Sequence, residues 1–449
     1  MLILIREGRQ AMEISDVLPR SQVLVKELSE GLNGGLCSLE QIEGRILGFV
    51  YELAHTLERE VLAGLREPTQ ENSLRVGERT AIYAGMRNAR FRNRFGGTVV
   101  LPRRCYKYRE GGGGWNPLDE KLGLDRCLGY SPLMSYLLSS FGASEPFGRA
   151  SELLSEALGF RVSPTAVQRN TEAVGERITD NPYLMIAAEK AQQNCEVMVV
   201  QVDGTISPQI LEKQGLSGRE SLKQPTDWKE CNVVVIQKIT QGEQVDRWTG
   251  ARYGKHAEFE TYAGRAALAM GQHVAKKVIF LADGAHTNWE LQRTNFPGSV
   301  GILDFYHASE HLGSFTALLK DQRKASPLHH RWAHMLRQGR ALQVMQELRH
   351  RADRVADRDA AIREINYFRN NLSRMDYDRY EEQGFPIGSG LVEGSCKFVV
   401  GKRFKGNGMR WKKQDNTRVL RVRVEKLNGT LQKYFRPEPQ NWTPTACIA

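Results

Sequence analysis

The sequence predicts an α/β fold in the second half of the chain, and three observations lead to this prediction. Apolar runs rich in β-branched residues end at Asp203, Asp283 and Asp304, and each is typical of a buried strand. Segments with helical spacing of apolar residues, such as 257–274, lie between these runs. Residues 313–380 show no strand pattern and favour helices. Such an alternation indicates a layered α/β architecture.

Composition is ordinary for a globular chain. The 449 residues are enough for two or three domains, and 41% hydrophobic with 26% charged residues are usual values. No apolar run reaches the roughly 18–20 residues that cross a bilayer, and the N-terminal MLILI lacks the length of a secretory signal. The seven cysteines are scattered without a C-x-x-C pair, so reduced thiols, a cytoplasmic location and no membrane partner are expected.

Positive charge is concentrated near the C-terminus. Segment 397–436 holds thirteen Lys or Arg against two acidic residues, an excess as large as the net charge of +11 on the whole chain. A concentrated basic segment is typical of proteins that bind a polyanion, most often nucleic acid. A solvated basic helix would have the same composition, so charge alone leaves both interpretations open.

The first half of the chain divides into three predicted regions. Residues 1–95 form a mostly helical N-terminal region, within which 36–66 have clear helical spacing. Residues 96–130 form a basic β-hairpin or loop region with Gly111–Gly114 at a mobile tip. Its alternating basic and aromatic residues fit either a phosphate contact or a charged edge strand that resists aggregation.

Residues 131–185 contain a candidate helix-turn-helix. A first helix closes at Gly159, and a second begins with Ser163 as N-cap and Pro164 at the first helical position. Gln168 and Arg169 on the second helix are the candidates for contacting DNA bases. Ordinary helical hairpins share this pattern, so DNA recognition is one of two interpretations.

The second half is predicted as a core interrupted by helices. Residues 190–312 form its first part, 313–383 a helical insertion, and 384–449 a helix bearing Glu393 followed by the basic C-terminal region. A single Asp at a strand end could merely cap a turn. Several carboxylates at one sheet edge repel each other unless a cation compensates, and their oxygens suit Mg²⁺ or Mn²⁺. The order of elements matches a ribonuclease H-like arrangement.

Four stretches resemble DDE transposases of bacterial insertion sequences, and the ISKra4 family is the most similar. They are VDGT (202–205), LADGAHTNW (281–289), ILDFYHASEHL (302–312) and PIGSGLVEGSCKFVVGKRFKGNGMRW (386–411). Weaker similarity extends the resemblance over about 90–430. It implies a transposase that binds transposon ends and performs metal-dependent cleavage and strand transfer, on a ribonuclease H-like core preceded by a helical region with a helix-turn-helix.

The resemblance also implies roles for individual residues. Asp203, Asp283 and Glu393 would be catalytic and would hold Mg²⁺ or Mn²⁺, while Asp304 and His307 match a supporting D-x-x-H element. Synapsis of two DNA ends implies a homodimer or larger assembly, associated with the nucleoid. Gln168 and Arg169 are expected to contact DNA from the helix-turn-helix. The other expected DNA contacts lie in the basic C-terminal region and are Lys397, Lys402, Arg403, Lys405, Arg410, Trp411, Lys412 and Lys413.

Three other functions fit parts of the sequence. The same carboxylates would serve a metal-dependent nuclease that cuts DNA without strand transfer. Residues 307–311 spell H-x-x-E-H, a zinc-protease signature, with Glu381 or Glu382 as a downstream ligand. A catalytically silent DNA-binding protein would keep the same core. The protease interpretation leaves Asp203, Asp283 and the basic region without roles.

Overall fold

The structure is a computed structural model that describes residues 12–210, 220, 225–436 and the backbone of 442–444. The chain divides into two compact units, Met1–Ile178 together with Gly429–Ala449, and Thr179–Asn428. In the described ranges no helix combines the length and the apolar character needed to span a bilayer.

The first unit combines helices with an antiparallel sheet. Its elements are α1 Val17–Asn33, α2 Leu39–Ala63, β1 Ser73–Val76, β2 Arg79–Arg92, β3 Thr98–Tyr108, β4 Gly114–Trp115, α3 Pro117–Leu122, α4 Pro132–Gly142, α5 Phe147–Leu158 and α6 Pro164–Arg177. The strand order in the sheet is Trp442–Pro444, β1, β2, β3, β4. The helical spacing predicted for 36–66 is confirmed by α2, but residues 73–92, which were expected to be helical, form β1 and β2 instead.

Two arginines of the basic strand β3 interact with other residues of the same unit. Arg103 Nε donates to Asp119 Oδ1 over 2.5 Å, and both side chains are largely buried. The Arg104 guanidinium lies 3.8 Å from the ring centroid of Tyr83. β3 pairs with β2 along its length, and on its other side it pairs with β4 only at Tyr106 and Lys107. Arg103 and Arg104 therefore have partners within the unit, and a phosphate contact of the basic strand stays a prediction.

The helical hairpin α5–α6 has the local geometry that the sequence predicts. Gly159 ends α5 with φ of 68°, and Ser163 Oγ accepts from the Ala166 N–H over 3.2 Å as the N-cap of α6. Arg169 is exposed, whereas Gln168 is half-buried and donates to Glu172 within the same helix over 2.8 Å. The two helices and their caps are confirmed, while the helix-turn-helix and its contact with DNA stay predictions.

The second unit is built on a mixed five-stranded sheet. The elements of its first part are α7 Pro182–Met185, α8 Glu189–Gln192, β5 Val197–Ile210, β6 Thr226–Thr240, β7 Glu243–Tyr253, α9 His256–Ala269, β8 Lys277–Ala282, α10 His286–Asn295 and β9 Val300–Leu303. The strand order in the sheet is β7-β6-β5-β8-β9. β5, β6 and β7 are antiparallel neighbours, while β8 and β9 run parallel to β5. The chain is thus a mixed α/β protein.

Two strand predictions in this unit need correction. β5 does not end at Asp203 but continues for seven residues to Ile210, because β6 pairs with it along its whole length. β7 was not identified from the sequence, since its first half is polar and exposed. It joins β6 through a tight turn in which Gln241 and Gly242 both have positive φ, as two-residue hairpin turns require.

A helical layer follows β9, as the sequence predicts for 313–383. Trp332, Phe368 and Tyr377 are completely buried in one hydrophobic cluster with Val199 and Ile279 of the sheet. The insertion therefore shares a core with the strands that carry the aspartates. Its helices are α11 Phe305–Ala317, α12 Ala325–Arg337, α13 Ala341–Arg351, α14 Arg358–Asn371 and α15 Tyr377–Glu382.

The segment after the insertion contains a π-helix. It consists of α16 Gly390–Ser395, a π turn at Cys396–Gly401, α17 Lys402–Phe404 and α18 Lys413–Leu427. A π turn widens the helix, is rare, and is frequently found at functional sites. Arg423 of α18, only 3% exposed, donates to the carbonyl oxygens of Val399 over 2.7 Å and of Phe398 over 2.5 Å. The buried Arg423 guanidinium thus stabilises the π turn by donating hydrogen bonds to two of its carbonyl oxygens.

We expect Arg423→Ala to lower the free energy of unfolding of this unit by about 3 kcal/mol, because two charge-assisted hydrogen bonds are lost in a buried place. Lys413→Ala, at the exposed start of the same helix, should change it by less than about 0.5 kcal/mol. Urea unfolding followed by tryptophan fluorescence measures both. Equal effects would contradict a supporting role for Arg423.

Candidate active site

The sheet register places the three aspartates at one level of neighbouring strands. Gln201 of β5 pairs with Leu281 of β8, and Ala282 of β8 pairs with Leu303 of β9. Continuing these registers sets Asp203 beside Asp283 and Asp283 beside Asp304. Adjacent strands are about 4.8 Å apart, so the three residues occupy one edge of the parallel part of the sheet.

Asp203 is half-buried and interacts with groups from three other elements. Burial raises the pKa of its carboxyl group, hydrogen bonds from the Cys396 thiol and the Gly204 N–H lower that pKa, and the charge of Asp283 raises it again. His307 acts on the same pKa in the lowering direction. Asp283, His307 and Cys396 therefore all lie within electrostatic or hydrogen-bonding reach of the Asp203 carboxylate.

Asp283 follows β8 and is oriented by the helix after it. Its Oδ1 accepts from the Ala285 N–H over 3.0 Å and from Asn288 Nδ2 over 2.8 Å. Its backbone carbonyl accepts from the Tyr367 hydroxyl of the helical insertion over 3.0 Å. The insertion thus contacts the residue directly.

Asp304 connects the two ends of the insertion. It is fully buried, and its carboxylate accepts from the His307 N–H over 2.7 Å and from the Ser389 N–H. The Phe305 N–H donates to the Ile387 carbonyl over 2.9 Å beside this contact. A Cβ atom at Gly388 would lie 2.6 Å from the Tyr306 ring, so a larger residue there would displace that ring. Asp304 is consequently a structural support at the sheet edge.

The helix bearing Glu393 is attached to the strand bearing Asp203. The Val392 N–H donates to Gln201 Oε1 over 3.2 Å, and Cys396 contacts Asp203. Lys405 Nζ donates to Thr205 Oγ1 over 2.6 Å.

Alternate residues of a strand share a face, so 201, 203 and 205 form one row along which segment 390–405 runs. The Glu393 carboxylate itself accepts from Ser389 Oγ over 2.9 Å at the start of its own helix.

No metal-binding group is assembled in the described part of the chain. There, no three His, Cys, Asp or Glu side chains are gathered as ion ligands. The aspartates at positions 203 and 283 are within electrostatic reach of each other, but Glu393 does not complete a group of three with them.

The H-x-x-E-H residues are not arranged as a protease centre either. His311 Nδ1 lies 2.6 Å from Glu364 Oε2, and its ring is stacked on Tyr367 at a centroid distance of 3.5 Å. His307 lies beside Glu310 and the Asp203 edge instead. The two histidines therefore have separate partners.

Only some residues of the basic C-terminal region are exposed to solvent. Six of the predicted DNA contacts are exposed: Lys397, Lys402, Lys405, Arg410, Lys412 and Lys413. Two predictions need correction, because Arg403 is 1% exposed and Trp411 8% exposed. The Arg403 guanidinium lies 4.7 Å from the Trp411 ring centroid, and that ring packs against Phe404. Both residues stabilise the protein and present no surface to DNA.

Sequence reasoning missed three residues that position the candidate site. Gln201 precedes Asp203 by two residues, the spacing that places side chains on one face of a strand. Ser389 and Cys396 flank Glu393 at the i−4 and i+3 positions, which share one helix face. These spacings are visible in the sequence, but only a paired register shows that the strand and the helix meet.

Comparison with known proteins gives a narrow result. No family model matches the chain, and no curated protein matches it. Among solved structures, a chain of the Drosophila P element transposase strand transfer complex is similar over 68% of this chain and 80% of that chain, at 10% identity and a TM-score of 0.28. A likeness at this TM-score defines neither the fold nor the activity of the chain.

We expect Asp203→Asn to raise the thermal midpoint at pH 7 in EDTA, on the order of 2 °C. A carboxyl group whose pKa is raised by folding costs stability once it ionises. This cost is absent below its usual pKa of 3.8 and complete above the raised value, so the gain should disappear as the pH falls through this range. Calorimetry between pH 3.5 and about 7.5 measures it.

The matched control is Asp378→Asn, at an exposed position of the same unit. Its midpoint should follow that of the unmodified protein at every pH. A gain at position 203 that persists unchanged at low pH would contradict the assigned cause.

Proposed function

We propose that the chain is a DNA transposase of the DDE class, similar to the ISKra4 family, with Asp203, Asp283 and Glu393 as its catalytic carboxylates. The observation that carries the proposal is the meeting of three elements at one sheet edge. The register brings Asp203 level with Asp283, and the Glu393 helix is bonded to the Asp203 strand through Gln201 and Cys396.

The strand order supports a ribonuclease H-like core. Three antiparallel strands are followed by two parallel strands on the other side of β5. A helix precedes each of the two parallel strands, and the helical insertion separates β9 from the Glu393 helix. In a ribonuclease H-like core this order of elements would bring the first, fourth and later acidic positions together.

The donor chemistry at this edge fits Mg²⁺ or Mn²⁺. Carboxylate oxygens are the ligands that such ions prefer, and the like charges of Asp203 and Asp283 favour a cation between them. Asp203, Asp283 and Glu393 would hold it, and Glu393 would exchange its Ser389 contact for the ion. Bound there, divalent ions supply Lewis acidity and neutralise charge in phosphoryl transfer.

The residues around the carboxylates have roles suited to a DNA strand. Lys405 is fixed beside the carboxylate row by Thr205, where its charge can meet a phosphate. Lys397 and Lys402 are exposed on the same segment, and Arg410, Lys412 and Lys413 extend the basic surface. We assign Gln168 and Arg169 of the helical hairpin to the recognition of transposon ends, and a dimer or larger assembly to their synapsis.

We expect Asp203→Ala, Asp283→Ala and Glu393→Ala each to reduce metal-dependent DNA cleavage about a thousandfold or more, because each removes a ligand from the phosphoryl-transfer site. DNA binding should remain. The assay uses a plasmid that carries the gene with its flanking DNA and detects nicked, excised and rejoined products in Mg²⁺. Nicked products without rejoined ones would favour a nuclease.

Glu382→Ala is the matched control, since Glu382 is exposed on α15 and was the alternative protease ligand. It should leave cleavage unchanged. Full activity in any of the three carboxylate variants would remove that residue from the site.

Replacing Lys397, Lys402 and Lys405 together by Gln should weaken binding to duplexes of any sequence. The slope of log K against log salt should fall by about two to three, since each phosphate contact contributes about 0.9. Fluorescence anisotropy at several salt concentrations measures the slope. The control variant replaces the exposed Lys255 and Lys320 together by Gln, which removes positive charge elsewhere and should leave the salt slope unchanged. Equal slopes in the two variants would contradict a DNA contact along 397–405.

A further inference from the structure

The first two helices leave most of their large apolar side chains in contact with solvent. Of the 27 large apolar side chains that are exposed in the described ranges, ten lie on α1 or α2. Within these two described helices, Leu28 and Thr56 are the only buried residues. A surface helix normally packs its apolar stripe against a core and exposes its polar side. The reversed arrangement here indicates that a partner covers these side chains.

Polar contacts join α1 to α2 in a hairpin. Two guanidinium nitrogens of Arg20 donate to the two oxygens of the Glu52 carboxylate, over 2.9 and 2.8 Å, and Arg45 pairs with Glu27. Residue 20 meets residue 52 while residue 27 meets residue 45, so the two helices lie side by side and run antiparallel. The ion-paired residues mark the side of each helix that contacts the other helix.

Eight of the ten exposed apolar residues form a straight stripe along each helix. The residues of the stripes are Leu18, Val25 and Leu32 on α1, and Leu39, Ile46, Val50, Leu57 and Val61 on α2. Successive members are seven or four positions apart. At about 100° per residue, the five residues of α2 fall within roughly 60° of one another around the helix axis. Spacing of this kind is typical of a helix that packs lengthwise against another helix.

Both stripes lie on the same face of the hairpin. On each helix the stripe is roughly a third of a turn from the ion-paired residues, in the same rotational sense. Antiparallel helices are related by a two-fold axis perpendicular to both, so equal rotations point to one side. The apolar face is thus roughly 30 Å long and 20 Å wide, which is close to the ~800 Å² that each partner buries in a standard interface. Monomers rarely expose so large an apolar patch.

The charge of the hairpin favours a protein partner over a polyanion. Residues 17–63 contain seven glutamates, no aspartate and four Lys or Arg, which gives a net charge of −3. Nucleic acid and anionic lipid are both repelled by such a surface. A second hairpin of the same length fits it, because two helical hairpins that bury their apolar faces against each other form a four-helix bundle. A two-fold axis brings the same face of two identical chains together.

We propose that the apolar face of the α1–α2 hairpin is the contact between two copies of this chain, which together form a four-helix bundle. The proposed function assigns a dimer or larger assembly to synapsis, and this face would supply the contact. The inference itself requires neither DNA nor the carboxylates, because the two stripes are exposed in the single chain.

One carboxylate lies within the stripe of α2. At about 100° per residue, Glu43 falls in the same sector as Val50 and Leu57, and its side chain is exposed. In the dimer this carboxylate is removed from water, which weakens association. Replacing Glu43 by Leu should therefore strengthen the dimer, by about tenfold in the dissociation constant.

The test is sedimentation equilibrium of the full chain in EDTA and without DNA. At about 10 μM the unmodified chain should have twice the mass of one chain, since an interface of standard size holds at micromolar concentration. Ile46→Lys combined with Val50→Lys should raise the dissociation constant at least about a hundredfold, because it places like charges on both sides of the two-fold axis. Circular dichroism checks that each variant is folded.

The matched control is Ile82→Lys combined with Val100→Lys, at exposed apolar positions on β2 and β3 of the same unit. It should dimerise as the unmodified chain does. A chain that stays monomeric at about 100 μM overturns the inference, since a standard interface would have formed by then. A dimer that the Ile46 and Val50 substitutions weaken no more than the control also overturns it.

If the variant at Ile46 and Val50 does not fold, Glu43→Leu decides the question. A lower dissociation constant in this variant supports the inference, and an unchanged constant overturns it. Failure here is distinguishable from failure of the proposed function. Loss of dimerisation leaves the carboxylate assignments to the cleavage assay, and inactive carboxylates leave the dimer to sedimentation.

Discussion

Loss of hydration at the Asp203 carboxylate is the constraint on which the candidate site depends. Burial is the largest cause of the raised pKa of Asp203, and the charge of Asp283, which the pairing of β5 with β8 brings level with it, raises that pKa further. The protein tolerates this because each carboxylate accepts hydrogen bonds, from Gly204 and Cys396 for the first and from Ala285 and Asn288 for the second. The arrangement costs stability in the absence of a cation, which is typical of a site built for ligand binding.

Attachment of the Glu393 helix is the second requirement, and it is met by polar contacts along one row of β5. Gln201, Asp203 and Thr205 meet Val392, Cys396 and Lys405 in that order. Behind this segment, Arg423 satisfies the carbonyl groups of the π turn. A strand, a helix and a buried arginine thus fix the backbone around Glu393, while Ser389 is the one described residue that donates a hydrogen bond to its carboxylate.

Local patterns in the sequence predicted much of this fold, and long-range contacts account for most of what they missed. Apolar runs identified β8 and β9, and capping residues identified α6, because these signals lie within a few residues. β7 escaped because its polar first half has no strand pattern, and the extension of β5 to Ile210 depends on pairing with β6. Arg403 and Trp411 look like surface residues in a basic segment, yet stacking on each other and on Phe404 buries them. The carboxylates were identified by motif.

The bond between Asp304 and Ser389 spans 85 residues of the chain. Contacts of such separation form late in folding, because closing a long loop costs conformational entropy that only the completed structure repays. A nascent chain that has not yet emerged beyond residue 388 lacks this link and the helix after it. The carboxylate edge is therefore completed only after residue 393 has been made, and a product truncated before it carries two of the acidic residues without the third.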